Sequence, residues 1–342
     1  MVITIVLYCN AMEKKIMIKL VKRIRKRVKI TVEAFQNDCQ FSFKLALWRS
    51  LDDILTRAHI NSLATIFHKK KNEWITDYLQ KLLRNIIERY KNSEFEGEYT
   101  EDAPIWICWW SGEEFAPPLV KQCLKSIRNN SGRHSVYFIS KYTYKKYVSI
   151  PDFIFQKFTN GQMCTAHLSD YLRFSLLQKY GGIWLDATIF VSQTLPESYF
   201  SKSLFTCKSD IKESRYVSKY RWTPFSIGGW KGNLLFRFLK NALEEYWEHN
   251  STAIDYLFLD YIIDIAYNTI PAIKEQIDII PPNNLARDDL QAAMNAKLQG
   301  KEIFNVLRSD TILYKLSWRE SYSMVTESGE RSIYAEFLSL KF

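Results

Sequence analysis

Residues 169–190 read SDYLRFSLLQKYGGIWLDATIF, and the order of these residues decides the fold. Asp170 and Arg173 stand three apart, so a helix beginning near Ser169 sets both on one face close to its N-terminus. A helix N-terminus presents unpaired N–H groups and suits anions. Leu172, Leu176, Leu177 and Tyr180 form the opposite, core-facing stripe. Gly181 and Gly182 stop the helix, because the residue after a helix end favours a left-handed conformation that glycine enters freely. Their missing Cβ atoms also let a ligand approach the backbone. IWLDATIF then reads as a strand with Asp186 at its midpoint or carboxyl end, where ligands sit in open α/β sheets. Two readings of the charges stand. Either Asp170–Arg173 is a surface ion pair and Asp186 only ends a strand, or Asp186 holds a divalent cation on a diphosphate. Mg²⁺ and Mn²⁺ take one or two carboxylates plus phosphate oxygens, and such an ion would neutralise charge on a diphosphate leaving group.

Working outward, IWICWW at 105–110 is a short apolar strand closed by Ser111-Gly112. PPLVKQCLKSIRNN reads as a helix opening at its prolines, and HSVYFIS as the next strand. SLFTC and SIGGW read as further strands, LLFRFLKNALEEYWEHN and IDYLFLDYIIDIAYN as helices. Alternation of this kind predicts an α/β domain with a largely parallel sheet covered by helices. Upstream, residues 14–90 are mostly helical in pattern, WITDYLQKLLRNIIERY among them, and the polar, acidic run KNSEFEGEYTEDAP (91–104) closes that region. The expected organisation is a helical N-terminal region over 1–99 and an α/β domain over 100–342.

Composition excludes several classes. The net charge of +10 invites a nucleic-acid partner, yet residues 13–29 hold nine Lys/Arg against one Glu and leave only +2 for the rest of the chain. Basicity so confined argues against a nucleic-acid groove. Ile16, Leu20, Ile24 and Val28 share one face within that run, the pattern of an interfacial helix, so residues 14–29 are expected to meet an anionic membrane surface. The six cysteines and five histidines show no zinc or redox spacing, which predicts a reduced, intracellular chain. The apolar start is too short to span a bilayer, and its charges follow rather than precede it, the reverse of a signal peptide. Translation starting at Met12 would remove it altogether. The expected location is the cytoplasm, peripheral on the inner face of the membrane.

The order Asp-x-x-Arg, helix, Gly-Gly, aromatic, x, Asp resembles the core motif of the sugar-binding-region glycosyltransferases with a DXD motif, and within them the capsular-polysaccharide-synthesis branch. IWICWWSGEEFAPPLVKQCLKSI resembles that family's first strand and helix, and LYKLSWR its C-terminal segment. The resemblance spans roughly residues 100–320. It implies a GT-A fold, a Rossmann-like α/β sheet, and transfer of a sugar from a nucleotide-diphosphate donor, a UDP-sugar favoured, to a surface polysaccharide or lipid-linked glycan with retention of configuration. Carried over, Asp170 would contact the ribose or donor sugar and Arg173 the sugar or phosphate. Asp186 is the first Asp of the motif, and Asp186 and Thr188 would hold Mn²⁺ or Mg²⁺. Thr188 departs from the wider pattern, which has a carboxylate there, although the capsular branch often reads Asp-Ala-Thr. The competing reading is a catalytically inactive nucleotide- or glycan-binding protein.

Supporting residues follow from this frame. Trp109 and Trp110 are either two core aromatics or, since neighbouring strand residues face opposite ways, one of them but not both stacks on the donor base. Asp260 and Asp264, four apart on an apolar helix, either meet water or line a site where an acid positions an acceptor hydroxyl. Lys315, Ser317, Trp318 and Arg319 are either a polar strand end or, by resemblance, the segment that closes on the diphosphate.

Overall fold

The computed structural model describes residues 28, 31–211, 214–297, 307 and 310–341. These residues group into two compact units, one of residues up to Tyr78 with Ile254–Tyr256, the other of Leu79–Ala253 with Leu257–Phe342. Apart from Val28, the basic run 14–29 lies outside the described residues.

The first unit is helical. Its helix Phe43–Arg57 is capped by Ser42, whose side chain accepts from the Lys44 N–H. Arg49 lies 3.1 Å from Asp38 and 3.1 Å from Asp255, and its guanidinium donates to the Ile254 carbonyl at 2.7 Å. The pattern over 74–90 reads as one helix but is two, Asn61–Leu82 and Arg84–Tyr90, separated at Leu83, the second of them in the second unit.

The second unit is built on a five-stranded sheet. Its strands are β1 (Ile105–Cys108), β2 (Val136–Ile139), β3 (Gly182–Leu185), β5 (Leu204–Thr206) and β6 (Ser226–Gly229), in the order β2-β1-β3-β6-β5. β1 is parallel to β2 and to β3, while β6 is antiparallel to β3 and to β5. Four strands therefore run one way and β6 runs against them. A second, two-stranded sheet joins β4 (Ile189–Val191) to β7 (Leu313–Lys315), antiparallel.

Alternation along the strands divides the sheet into two faces. Ile105, Ile107, Ile183 and Leu185 enter one core with Leu119, Val120, Cys123, Leu124 and Ile127 of the helix Pro118–Asn129. That helix begins at its prolines because a proline costs nothing where the N–H has no helical partner. Trp106 and Trp184 take the other positions and are almost fully buried. The Trp106 ring packs against Tyr137, Tyr147 and Tyr180, and its Nε1–H donates to the Gly181 carbonyl at 3.0 Å.

The helix of the opening stretch runs Thr165–Tyr180, one turn further upstream than Ser169. Nearly every residue from His167 to Leu177 is buried, so a core-facing stripe understates its burial. Asp170 and Arg173 accordingly sit inside the helix, not at its N-terminus, and the helix-end argument for anion binding does not apply to them. The helix stops at Gly181, φ +69°, whose N–H donates to the Leu177 carbonyl at 2.8 Å.

Candidate functional site

β3 runs directly into Asp186, and Asp186-Ala187-Thr188 forms a tight turn closed by the Ile189 N–H donating to the Asp186 carbonyl at 2.9 Å. The turn leads into β4. The β4–β7 ladder sets Lys315 opposite Ile189, and the Leu316 N–H donates to the Thr188 carbonyl at 3.0 Å. A residue 129 positions away in sequence is thereby brought to Asp186. The Lys315 Nζ donates to Asp186 Oδ2 at 3.0 Å and to Thr188 Oγ1 at 2.7 Å.

The other carboxylate oxygen faces the long helix. Asp186 Oδ1 accepts from the Trp184 indole at 2.9 Å and from Arg173 at 3.2 Å. Arg173 also donates to Asp170 Oδ1 at 2.6 Å, and its guanidinium lies 4.9 Å from the Trp184 ring. Its side chain is only 5% exposed, against 29% for Asp186 and 25% for Lys315. Arg173 is thus a buried positioning group beneath Asp186, and not a residue that meets a ligand from solvent. Asp186, Thr188 and Lys315 form the upper layer.

The two carboxylates on Arg173 are driven in opposite directions. Burial raises both. For Asp186 it is outweighed by the charges of Lys315 and Arg173 and by the Trp184 hydrogen bond, which hold its pKa below the usual carboxylate value. For Asp170 burial prevails over Arg173, and the pKa is raised. Cys108, at the carboxyl end of β1, lies in the field of the same Arg173 and Asp186, and burial pushes its thiol up to about 12.

The structure divides the remaining candidates. β1 ends at Cys108, so Trp109 and Trp110 lie beyond it and part company. Trp109 meets Trp318 edge to face, centroids 5.6 Å apart, and Arg319 lies 5.7 Å from the Trp318 ring. Trp110 packs on Tyr144 and Phe158. Trp318 is 44% exposed, and the Ser317 hydroxyl accepts from the Arg319 N–H at 3.3 Å. Asp260 accepts from the Trp222 indole at 2.8 Å, and Asp264 from Arg221, whose guanidinium also lies against Trp222 and Tyr267. These two acids fasten the helix Phe258–Thr269 to the loop that leads into β6. That loop ends at Phe225, whose carbonyl accepts from the Asp186 N–H at 2.9 Å. Their tie to the site therefore runs through the loop.

Gly181 and Gly182 require a correction. A Cβ on Gly182 would stand 2.1 Å from the Pro104 carbonyl oxygen, and one on Gly181 2.6 Å from the Lys231 nitrogen. The room their hydrogens leave is taken by the protein's own backbone at the entry of β3, the end opposite Asp186. They set the strand in place and do not admit a ligand.

The donor set at Asp186 does not fit a resident divalent ion. A divalent ion there would coordinate Asp186 and Thr188, and an ammonium already bridges those two oxygens. An ion bound to them would lie within a few ångströms of the Lys315 charge, at a severe Coulomb cost. Among the described residues, the acid and histidine trio spaced for a metal is Glu245, Glu248 and His249, partly to fully exposed on another helix.

Sequence reading missed Trp184, Phe225 and Cys108 as neighbours of Asp186. For Trp184 a signal existed: i and i+2 of an extended segment share a face, which made Trp184 a candidate neighbour of Asp186. Phe225 arrives through the β3–β6 ladder, where Leu185 pairs with Ser226.

A mixed α/β sheet, mostly of one strand direction, with a polar cluster just beyond the carboxyl ends of β1 and β3, defines an α/β protein of the open-sheet class. The chain belongs to the capsular polysaccharide synthesis protein family, whose model matches residues 57–337. No curated protein sequence matches it. A solved structure titled "PaToxG Glycosyltransferase" is similar over 62% of this chain and 83% of that chain, with 16% identity and a TM-score of 0.35.

Proposed function

We propose that the chain is a glycosyltransferase that moves a sugar from a nucleotide-diphosphate donor, a UDP-sugar favoured, to a surface polysaccharide or lipid-linked glycan, with retention of configuration. In this reading residues 100–342 are a GT-A domain and residues 1–99 a helical extension. The observation that carries it is the meeting of Asp186, Thr188 and Lys315 beyond the carboxyl end of β3, in a chain of the capsular polysaccharide synthesis family. Open α/β sheets bind ligands at that edge. The diphosphate would lie against Lys315, with Arg319 as a second cation. The Trp109–Trp318 pair would offer the base an aromatic face, Trp318 being the exposed member. Arg173 fixes Asp186, and Asp170 fixes Arg173. Asp260 and Asp264 hold the loop that would border the acceptor side.

The acceptor class fits a chain that works at a membrane surface. Residues 14–29 would dock there by charge and an apolar stripe. Among the described residues, no helix is long and apolar enough to cross a membrane.

The test is calorimetric titration of the full chain with UDP and GDP, joined to a panel of nucleotide sugars followed by release of nucleoside diphosphate. One nucleotide is expected to bind, and its sugars to be slowly hydrolysed or transferred. Asp186→Ala, which removes one acceptor each from Lys315 and Arg173 and leaves them only Thr188 and Asp170, is expected to weaken binding about tenfold or more. Binding without any turnover would favour the inactive binding protein. No binding of either nucleotide would sink the reading.

A further inference from the structure

We infer that the Lys315 ammonium takes the place of a divalent metal at the Asp186–Thr188 pair, so that the chain binds a nucleoside diphosphate without a metal ion. The inference rests on the nucleotide-sugar reading above and deepens it.

Geometry comes first. Lys315 Nζ lies 3.0 Å from Asp186 Oδ2 and 2.7 Å from Thr188 Oγ1, the two oxygens that an Asp-x-Asp pair would turn toward a metal. Its place is fixed by backbone, since the β4–β7 ladder pairs Ile189 with Lys315 and the Lys315 N–H donates to the Arg287 carbonyl at 2.8 Å. An ammonium carries three N–H donors. Asp186 and Thr188 take two, and the third, on a nitrogen 5.2 Å from the Phe225 ring centroid, is the one a phosphate oxygen would take from a side chain that is still 25% exposed.

Charge balance points the same way. Asp170, Arg173, Asp186 and Lys315 together sum to zero, so the cluster is already neutral. A dication would add two positive charges beside Lys315 and Arg173, whereas a diphosphate brings the negative charge that Lys315 can meet. Thr188 has a physical reason on this account. A hydroxyl accepts from the ammonium without neutralising it, while a second carboxylate at 188 would hold the lysine in a closed ion pair and leave less charge for the ligand.

The test titrates UDP and GDP into the full chain in EDTA and again in excess Mn²⁺. The nucleotide that binds is expected to show the same affinity in both, within about twofold. Lys315→Met keeps the stem but removes the charge and is expected to weaken binding in EDTA about tenfold or more, while Lys315→Arg stays within about threefold. Near-UV circular dichroism checks that both variants fold. Wild-type binding that disappears in EDTA and returns with Mn²⁺ overturns the inference, as does a Lys315→Met chain that binds as well as wild type. A second arm needs no nucleotide: Mn²⁺ paramagnetic resonance, with Glu245→Gln and Glu248→Gln present to silence the exposed trio. Wild type is expected to hold no Mn²⁺ at Asp186, and the double variant Lys315→Met/Thr188→Asp to gain one ion. Mn²⁺ held by wild type and released by Asp186→Ala would overturn the inference. If neither nucleotide binds under any condition, the nucleotide-sugar reading fails together with the binding half of the inference, and the Mn²⁺ spectra decide separately whether Lys315 excludes the metal.

Discussion

Asp170 and Asp186 share one arginine yet answer to different forces. Asp186, with a pKa below the ordinary value of 3.8, favours its charged form in the folded chain. Its contribution to stability is therefore present above pH 3.8 and lost as the pH falls through its folded pKa. Asp170, raised by burial, behaves in the opposite sense: folding disfavours its charge, and stability declines as the pH rises from 3.8 through its folded pKa. Replacing each by Asn should separate them. At neutral pH Asp186→Asn is expected to cost about 1.5–3 kcal/mol, because Lys315 and Arg173 lose a charged acceptor. Asp170→Asn is expected to stay within about 1 kcal/mol, since the amide oxygen can still accept from Arg173 and a buried charge is removed. Urea unfolding at pH 7 and pH 4 checks both, and an equal cost for the two variants at pH 7 would contradict the assignment.

At the scale of elements, the Gly-Gly turn couples the helix Thr165–Tyr180 to β3 and sets where Asp186 emerges. Gly182 has φ +91° and no room for a side chain beside Pro104. Gly182→Ala is expected to destabilise the fold by about 2–4 kcal/mol, from combined backbone strain and overpacking. Nucleotide binding by whatever fraction folds should stay near the wild-type affinity, because the clash lies at the opposite end of the strand from Asp186. Denaturant titration with calorimetry on the folded protein tests this, and a normal stability with lost binding would return the glycines to the ligand site. The helix and the strand were legible from the apolar spacing and the glycine stop. The helix start was not. Thr165-Ala-His-Leu precedes Ser169 without a capping side chain, so nothing local marks Cys164 as the boundary.

At the scale of the whole molecule, the charge is concentrated in one segment. If residues 14–29 dock on an anionic surface, changing their Lys/Arg residues to Gln should abolish cosedimentation with phosphatidylglycerol vesicles and leave nucleotide-sugar hydrolysis unchanged. Added salt should weaken the wild-type interaction, since each basic residue contributes about 1 kcal/mol near such a surface and is screened within a Debye length. An equal fall in hydrolysis would show that the segment serves the site itself and not a tether.

Local patterning determined the α/β class, the helix-to-strand stretch at 169–190 and the singling out of Asp170, Arg173 and Asp186, while Lys315 was nominated by the resemblance of its segment to the family. The first three follow from periodicity, glycine chemistry or a short motif, all written within a few residues. Tertiary structure decided their relations. Arg173 lies under Asp186 because the middle of the long helix is buried. Lys315 reaches Asp186 and Thr188 because a ladder with β4 sets its register. Trp109 finds Trp318 while Trp110 finds Tyr144 and Phe158, and Gly181 and Gly182 meet backbone because Pro104 and Lys231 close on them. Such pairings join segments far apart in the chain. Their geometry is fixed only when the sheet forms, which is why a motif could nominate these residues but not say which of them meet.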